Sequence, residues 1–392
     1  MFWKKKKIEK RESVDCDVKM ADILLKPKGD TITPQESLEN TGVLGCVRVL
    51  SESMAKMPLK VYRVTDNGNV IDRSTPEARL FKSGVNPFQS TYSWVETAMT
   101  HLAHVDGNSF SLIKRNSAGR VNRLDPLDPA DITIHTRQDD PEPIYDHVRL
   151  GIIPFNKILH IKGLSADGFR GVTPMAFYSK AAKIGIHAQN FALSFFKNSG
   201  ILGGLLKTDK RMPLETQVAL LDSFAQMHTG DGVYSTKVLA DGLEYEPITS
   251  DNTKSQMIET RKFQILEICR VFGVPPHMLA DLERATFSNI EQQGIDFVTY
   301  TLSAWMIRFE SEINRKFWPK GNYFVKFNAD SMLRADAKSR METHAVGRRI
   351  GALSINEIRG MEDMPGIGED GDTYLQELNM TPVGKDKNNE EN

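Results

Sequence analysis

Cysteine is scarce in this chain of 392 residues: only Cys16, Cys46 and Cys269 occur, widely separated and without a C-x-x-C or Cys/His spacing. Neither a disulfide framework nor a zinc site is therefore expected, and a reducing compartment is the default. Long apolar runs are missing too. The longest, residues 200–206, falls far short of the ~20 residues a membrane helix needs. Met1-Phe2-Trp3 and the lysines that follow resemble the n-region of a signal peptide, but polar and acidic residues 9–13 occupy the place of the ~7–15-residue apolar core, so export by that route is not expected. Charge of one sign is also lacking. Fifty Lys+Arg against 51 Asp+Glu give a formal net charge of −1, so nucleic acid cannot be held by an overall basic field.

Catalytic signatures are equally scarce. No GxxxxGK[ST] cradle for phosphates and no GxSxG nucleophile turn is present. Gly366-Ile367-Gly368-Glu369-Asp370-Gly371 fits GxGxxG, but no strand precedes it and its two carboxylates stand where pyrophosphate would lie, so it reads as a flexible acidic loop. His101, His104 and Asp106 could share a helix end as a metal cluster, yet a histidine pair without a third strong ligand is more often structural. No catalytic residue, metal or cofactor is assigned.

What is present is an ordinary folded composition, 40% apolar and 26% charged, long enough for two or three compact units of ~150 residues. Residues 1–32 are polar and read as a mobile arm. Thr33, Pro34 and Glu36 form a capping-box signature for a helix expected to reach Met57, where Pro58 stops it. A strand at 59–64, a turn at 66–69, a helix at 92–104 and strands at 109–114, 120–124, 132–135 and 157–161 make the first half α+β.

Beyond Pro174 the pattern turns to long helices. In residues 176–198, Phe177, Ala181, Ile184, Ala188, Phe191 and Phe195 make one stripe, expected to be the packing face, while Lys180, Lys183 and Lys197 lie on a second, basic stripe. A small α/β insert follows, with strands at 202–206, 237–239 and 244–248 and a short helix after Pro213. A second long helix at 253–272 carries Ile258, Ile265, Cys269 and Phe272 on one stripe and Lys254, Arg261, Lys262 and Arg270 as local positive charge. Gly273-Val274-Pro275-Pro276 ends it. A third helix is expected from a Ser288 cap to Phe317, ~45 Å at 1.5 Å per residue, then a strand at 322–327, a basic helix at 335–349 and an acidic end.

Several phrases then stand in a telling order: Asn86-Pro87-Phe88, Asp106-Gly107-Asn108-Ser109-Phe110, Leu124-Asp125-Pro126-Leu127-Asp128-Pro129, His160-Ile161-Lys162-Gly163, and Gly168-Phe169-Arg170-Gly171-Val172-Thr173-Pro174. Phe196-Lys197-Asn198, Phe272-Gly273-Val274-Pro275-Pro276-His277-Met278-Leu279 and Ser288-Asn289-Ile290-Glu291-Gln292-Gln293 follow. Together they resemble the portal proteins of tailed bacteriophages, of the type found in phage HK97, over residues 33–328.

The resemblance implies an α+β portal-type fold. Its parts would be a wing (33–172), a first stem helix (173–198), a clip (199–252), a second stem helix (253–275), a tunnel loop (276–287), a long helix with the wing's return strand (288–327), a crown (328–378) and an acidic tail (379–392). It implies a non-enzymatic, dodecameric ring at one capsid vertex. Double-stranded DNA would pass through it, and terminase, the head-to-tail adaptor and the major capsid protein would be its partners, in the virion and, during assembly, in the host cytoplasm. Asp281, Leu282, Glu283, Arg284, Ala285, Thr286 and Phe287 would narrow the channel, with Arg284 touching phosphate; Lys180, Lys183, Lys197, Lys254, Arg261 and Lys262 would line it or pair between subunits. Two other classes stay open: a monomeric DNA- or protein-binding adaptor, and a metal-dependent nucleic-acid-processing enzyme using His101, His104 and Asp106.

Overall fold

Thr33 opens the first helical turn, Pro34–Ser37. Its hydroxyl accepts from Glu36 N at 3.2 Å while the Glu36 carboxylate accepts from Thr33 N at 2.9 Å, the expected capping box. The single helix expected to reach Met57 is broken, however. Asn40 makes a cap of its own, its side-chain oxygen accepting from Gly42 N at 3.0 Å, so α1 is Thr41–Lys56. An asparagine side chain that bonds to nearby backbone competes with the helical ladder and restarts it. The structure is a computed structural model and describes residues 32–66, 68–135, 142–197, 204–209, 211–227, 242–247, 251–280, 287–329, 337–362 and 364–375.

After α1, β1 (Leu59–Thr65) and β2 (Gly68–Asp72) form a hairpin. Then comes α2 (Pro76–Ser83), which the sequence reading left out although Thr75-Pro76-Glu77 carries the signature: the Thr75 hydroxyl accepts from Ala78 N at 3.3 Å. α3 (Thr91–Thr100) continues as a π-helical segment, His101–Val105. Strands β3 (Asn108–Arg115), β4 (Val121–Leu127), β5 (Ile132–His135), β6 (Ile144–His147), β7 (Gly151–Ile153), β8 (Ile158–Lys162), β9 (Leu164–Ser165) and β10 (Gly171–Val172) complete the mixed part. The helical part is α4 (Met175–Lys197), β11 (Gly204–Lys207), α5 (Leu214–Met227), β12 (Glu244–Pro247) and α6 (Asp251–Phe272). α7 (Phe287–Asp296) begins one residue ahead of the expected Ser288 cap and runs through a second π-helical segment, Phe297–Leu302, into α8 (Ser303–Phe317) and then β13 (Tyr323–Phe327). The expected strand at 237–239 lies outside the described residues.

Among the described residues all strand pairings are antiparallel, and the sheets are small: β13-β1-β2, β4-β3-β8, β5-β6-β7, and the pairs β9-β10 and β11-β12. One core lies among Phe110, Ile132, Tyr145, Ile153 and Ile158. A second joins α1 to α3 through Leu50, Met54, Trp94, Met99 and Leu102, all buried, with Phe309 of α8 edge-on to Trp94 at 6.2 Å. Trp94 buries its ring and still satisfies its N–H, which donates to Ser111 Oγ at 3.0 Å. Each fully buried side chain of this size contributes about 2–3 kcal/mol.

The chain divides into two compact units, 1–328 and 329–392. In the second, α9 (Ala337–Arg349) and α10 (Ile355–Met361) are linked through Glu362, which accepts from Arg340 Nε at 2.5 Å and Nη2 at 2.9 Å and lies 3.1 Å from His344 Nε2. The Gly366–Gly371 phrase is not the loose loop expected: Asn356 accepts from Ile367 N at 2.9 Å and donates to Gly368 O and Asp372 Oδ1, both at 2.7 Å.

Candidate functional site

Asn108 is the hub of the joint from which the first long helix springs. Its Oδ1 accepts from Gly171 N (2.7 Å) and from His160 Nε2 (2.9 Å), and its Nδ2 donates to Gly171 O (3.0 Å) and Asp106 Oδ2 (2.9 Å). Because Asn108 Oδ1 can only accept, His160 carries its proton on Nε2. Its Nδ1 then accepts from the Tyr145 hydroxyl at 3.1 Å. Burial holds His160 well below the usual imidazole range, with Lys162 adding to the effect, so it stays neutral. Gly107, at φ +77°, lies so close to the next segment that a Cβ would stand 2.4 Å from Thr173 N and Val172 C. Thr173 Oγ1 donates to Ala103 O at 3.0 Å. Three of the telling phrases thus converge on one joint, two residues before α4 begins.

Helices α4 and α6 pack along each other and against α1. Tyr178 stands edge-on to Phe272 at 5.3 Å, Ala182, Ala192, Ile268 and Cys269 are buried, and a Cβ on Gly185 would lie 2.3 Å from Asn40 Nδ2. Cys46 of α1 meets Cys269; that thiol and burial push Cys46 far up, so it is not a reactive thiolate. On α6 the C-terminal half of the expected stripe faces inward, with Cys269 and Phe272 buried and Ile265 half-buried, while the side chain of Ile258 lies outside the described residues. On α4 the expected stripe does not hold. Ile184 is 51% exposed and Phe191 also faces outward, while the buried line is Tyr178 followed by Ala182, Gly185 and Ala192, three small residues that allow a close approach.

Of the cations named from sequence, Lys183 is half-buried and helps, after the Thr33 backbone and hydroxyl, to hold Glu36 below the usual carboxylate range. Arg261 and Lys262 are exposed on α6. The side chains of Lys180, Lys197 and Lys254 lie outside the described residues, as do residues 281–286 of the expected tunnel loop, whose last member, Phe287, opens α7.

The roots of that loop are described, and they are fastened. A 3₁₀ turn, Pro276–Leu279, ends in Ala280 at φ +64°, a left-handed conformation uncommon for a residue with a side chain. His277 Nδ1 and Gln293 Oε1 are 2.7 Å apart, and Thr301 Oγ1 donates to Gly273 O at 2.8 Å. Between them lies a cavity of about 410 Å³ lined by Leu266, Gln293, Phe297 and Tyr300. The π-helical segment Phe297–Leu302 sits directly behind, and π-bulges recur at functional sites. No sequence signal used above pointed to it.

The histidine pair is not arranged for a metal. His104 Nε2 lies 3.0 Å from Pro34 O, burial lowers both His101 and His104, and Asp106 is engaged by Asn108. Among the described residues no group of three or more His, Cys, Asp or Glu could hold an ion, and no helix is long and apolar enough to cross a membrane.

A family model described as phage portal protein matches residues 42–363. The chain belongs to the phage portal protein family. It is 30% identical over 367 residues to the portal protein of Enterobacteria phage HK97, covering 91% of this chain and 86% of that one. Its fold is similar to the crystal structure of an HK97-family phage portal protein from Corynebacterium diphtheriae, with a TM-score of 0.60 at 15% identity over 79% of this chain and 99% of that one. It is also similar to a chain in the neck of a native gene transfer agent particle computed with C12 symmetry, with a TM-score of 0.55 at 18% identity over 88% and 98%. Portal proteins are structural parts of virion particles and not enzymes, which removes the nucleic-acid-processing reading of His101, His104 and Asp106. The HK97-type resemblance stated from the phrases is the family found.

Proposed function

We propose that twelve copies of this chain close into a ring at one vertex of a phage capsid, and that double-stranded DNA enters and leaves through its axis. One observation carries the reading: the α4–α6 pair, complete along its inner seam, holds large apolar side chains in solvent on its outer sides, Ile184 at 51% exposure and Leu193 at 55% on α4 and Phe263 at 56% on α6. Exposed apolar faces on a rigid helix pair mark an interface, and head-to-tail contacts between unlike faces close into a ring when the repeated rotation sums to a full turn. The similarity to a chain in a particle neck computed with C12 symmetry supports the count of twelve.

The DNA path follows from charge. Each phosphate neutralised by Lys or Arg adds affinity that opposes sliding, so a conduit is served by a near-neutral chain with few placed cations. The loop 281–287, hung between the fastened roots, is the narrowing, with Arg284 in transient phosphate contact. Lys180, Lys183, Lys197, Lys254, Arg261 and Lys262 line the channel or pair with acids of the next copy. The insert 199–252 docks terminase and then the head-to-tail adaptor, residues 33–172 and 288–327 form the wing against the major capsid protein, and 328–378 the crown; assembly takes place in the host cytoplasm.

The test is assembly. Sedimentation and electron microscopy of the purified full-length protein are expected to give a large ring, and Ile184→Glu with Phe263→Glu is expected to give folded single chains. A ring unchanged by both substitutions removes Ile184 and Phe263 from the contact between copies, and a wild-type protein that stays one-chain when concentrated overturns the reading and favours a monomeric adaptor. For the loop, Arg284→Glu is expected to change packaging rate or DNA retention.

A further inference from the structure

The outer face of the sheet β13-β1-β2 carries a charge arrangement that neither the fold nor the ring explains. Register puts Lys60, Tyr62 and Val64 of β1 on one face, with Lys326 and Phe324 of β13 opposite the first two, and Ile71 and Asn69 of β2 opposite Tyr62 and Val64. Val61 and Val325, on the other face, are buried, so this face looks outward. Its first row is wholly basic. Lys60 and Lys326 are direct cross-strand neighbours, a like-charge pairing that destabilises a sheet. Arg73 follows β2 at once, and a ladder one residue longer would set it beside Lys60.

No ion pair within 4.0 Å reaches Lys60, Lys326 or Arg73 among the described residues. One acid that feels Lys326 as a field, Glu310, is turned to accept from Phe327 N at 2.8 Å. The second row, two residues along the strands, is Phe324, Tyr62 and Ile71, with the two rings stacked 5.1 Å apart and 10° from parallel and Ile71 exposed.

We propose that this face docks an acidic amphipathic helix of a partner protein, laid across the strands. Charge complementarity demands the acids, and spacing selects the helix. Strands stand ~4.8 Å apart, so Lys326 and Lys60 are that far from each other, and Arg73, exposed where the chain leaves β2, extends the basic row toward ~10 Å. Positions i, i+4 and i+7 of a helix rise to ~0, ~6 and ~10.5 Å along one face. An acidic stripe so spaced meets the row cation by cation, and an apolar stripe beside it covers Phe324, Tyr62 and Ile71. Duplex DNA offers phosphates to the first row but no apolar surface to the second, whose burial would then be forgone.

The test uses the full-length protein and two labelled probes followed by fluorescence anisotropy: a synthetic helical peptide with glutamates at those spacings beside leucines, and a short DNA duplex. The striped peptide is expected to bind, and a peptide of the same composition with its acids off the stripe to bind about tenfold more weakly. Lys60→Glu turns the repelling pair with Lys326 into an attracting one, so it is expected to raise the thermal midpoint while weakening the striped peptide about tenfold. Lys326→Glu is expected to do the same. Peptide affinity unchanged in both variants, binding of the duplex alone, or binding of neither probe overturns the proposal. Ring assembly, read by sedimentation, is expected to survive both substitutions, so the docking face and the ring stand or fall separately.

Discussion

The joint around Asn108 and the helix pair that springs from it are completed in opposite ways. At the joint, Asn108 finds its partners within the chain, and Tyr145 in turn bonds the histidine it holds. Along α4 and α6 only the inner seam is finished, and side chains as large as Phe263 stand in water. The first region can be stable in one copy; the second, in the proposed ring, would gain its full burial from another. Substitutions at the joint should therefore be read in the stability of the single chain, and substitutions on the outer helix faces in assembly.

The largest effect is expected at the joint itself. Asn108→Ala strands Gly171 N and O and His160 Nε2 in a dry site, and at about 1–3 kcal/mol for each buried group left unpaired the loss should be about 4 kcal/mol by denaturant unfolding. A loss under about 1 kcal/mol would mean that the joint is not closed by this residue. The same site has an acid limb. His160 is held neutral in the fold and protonates freely when unfolded, so its contribution is present above pH 6.5 and falls away below it, by up to about 1.4 kcal/mol per pH unit.

Next comes Glu77, 1% exposed, which takes Arg120 Nε at 2.8 Å and Nη2 at 2.7 Å and also accepts from Val121 N at 3.1 Å. Glu77→Ala leaves a guanidinium and an amide without their acceptor and should cost about 3 kcal/mol in thermal or denaturant unfolding.

These two sites mark where the sequence was legible and where it was not. The long helices were bounded within about two residues because Pro174 and Pro275-Pro276 punctuate them, and the Thr33–Glu36 box is a local signal that the fold obeys. The Asn108 phrase was recognisable, but its role was not: Asn108 and Gly171 are 63 residues apart, and nothing local announces their meeting. The α4 stripe misled for a related reason. Periodicity finds apolar faces but not their occupants: the larger stripe through Ile184 and Phe191 has the period of an inner seam, yet Ala182 and Gly185 fill it. The break at Asn40 and the strands β6, β7, β9 and β10 were missed because each is decided by a side-chain cap or by pairing across a few residues.

A third prediction sharpens the comparison by pH. Lys316, on the buried side of α8, has its ammonium 3.1 Å from the centre of the Phe155 ring and bonded to Phe155 O, and burial, with Arg315 adding, lowers it to about 8. The unfolded chain binds this proton up to about pH 10.5, so between about pH 8 and 10.5 folding stability should rise, by about 3 kcal/mol in all. In Lys316→Met that rise should be absent, measured as thermal midpoints across the window. A rise of the same size in the variant would assign it to another group.

The smallest effect on the single chain carries the most weight for the ring. Ile184 is half in water, so Ile184→Gln removes little burial from one copy and should change its unfolding free energy by under about 0.5 kcal/mol. If a neighbour covers this side chain, the same change removes about 1–2 kcal/mol of apolar burial from each contact, and in a closed ring the loss recurs at every interface. Sedimentation against concentration should then show rings dissociating at protein levels where the wild type stays whole, with unfolding curves superimposed. Coincident sedimentation profiles would mean that the exposed face of α4 has no neighbour, and the contrast between a finished joint and an unfinished helix pair would fail at its second term.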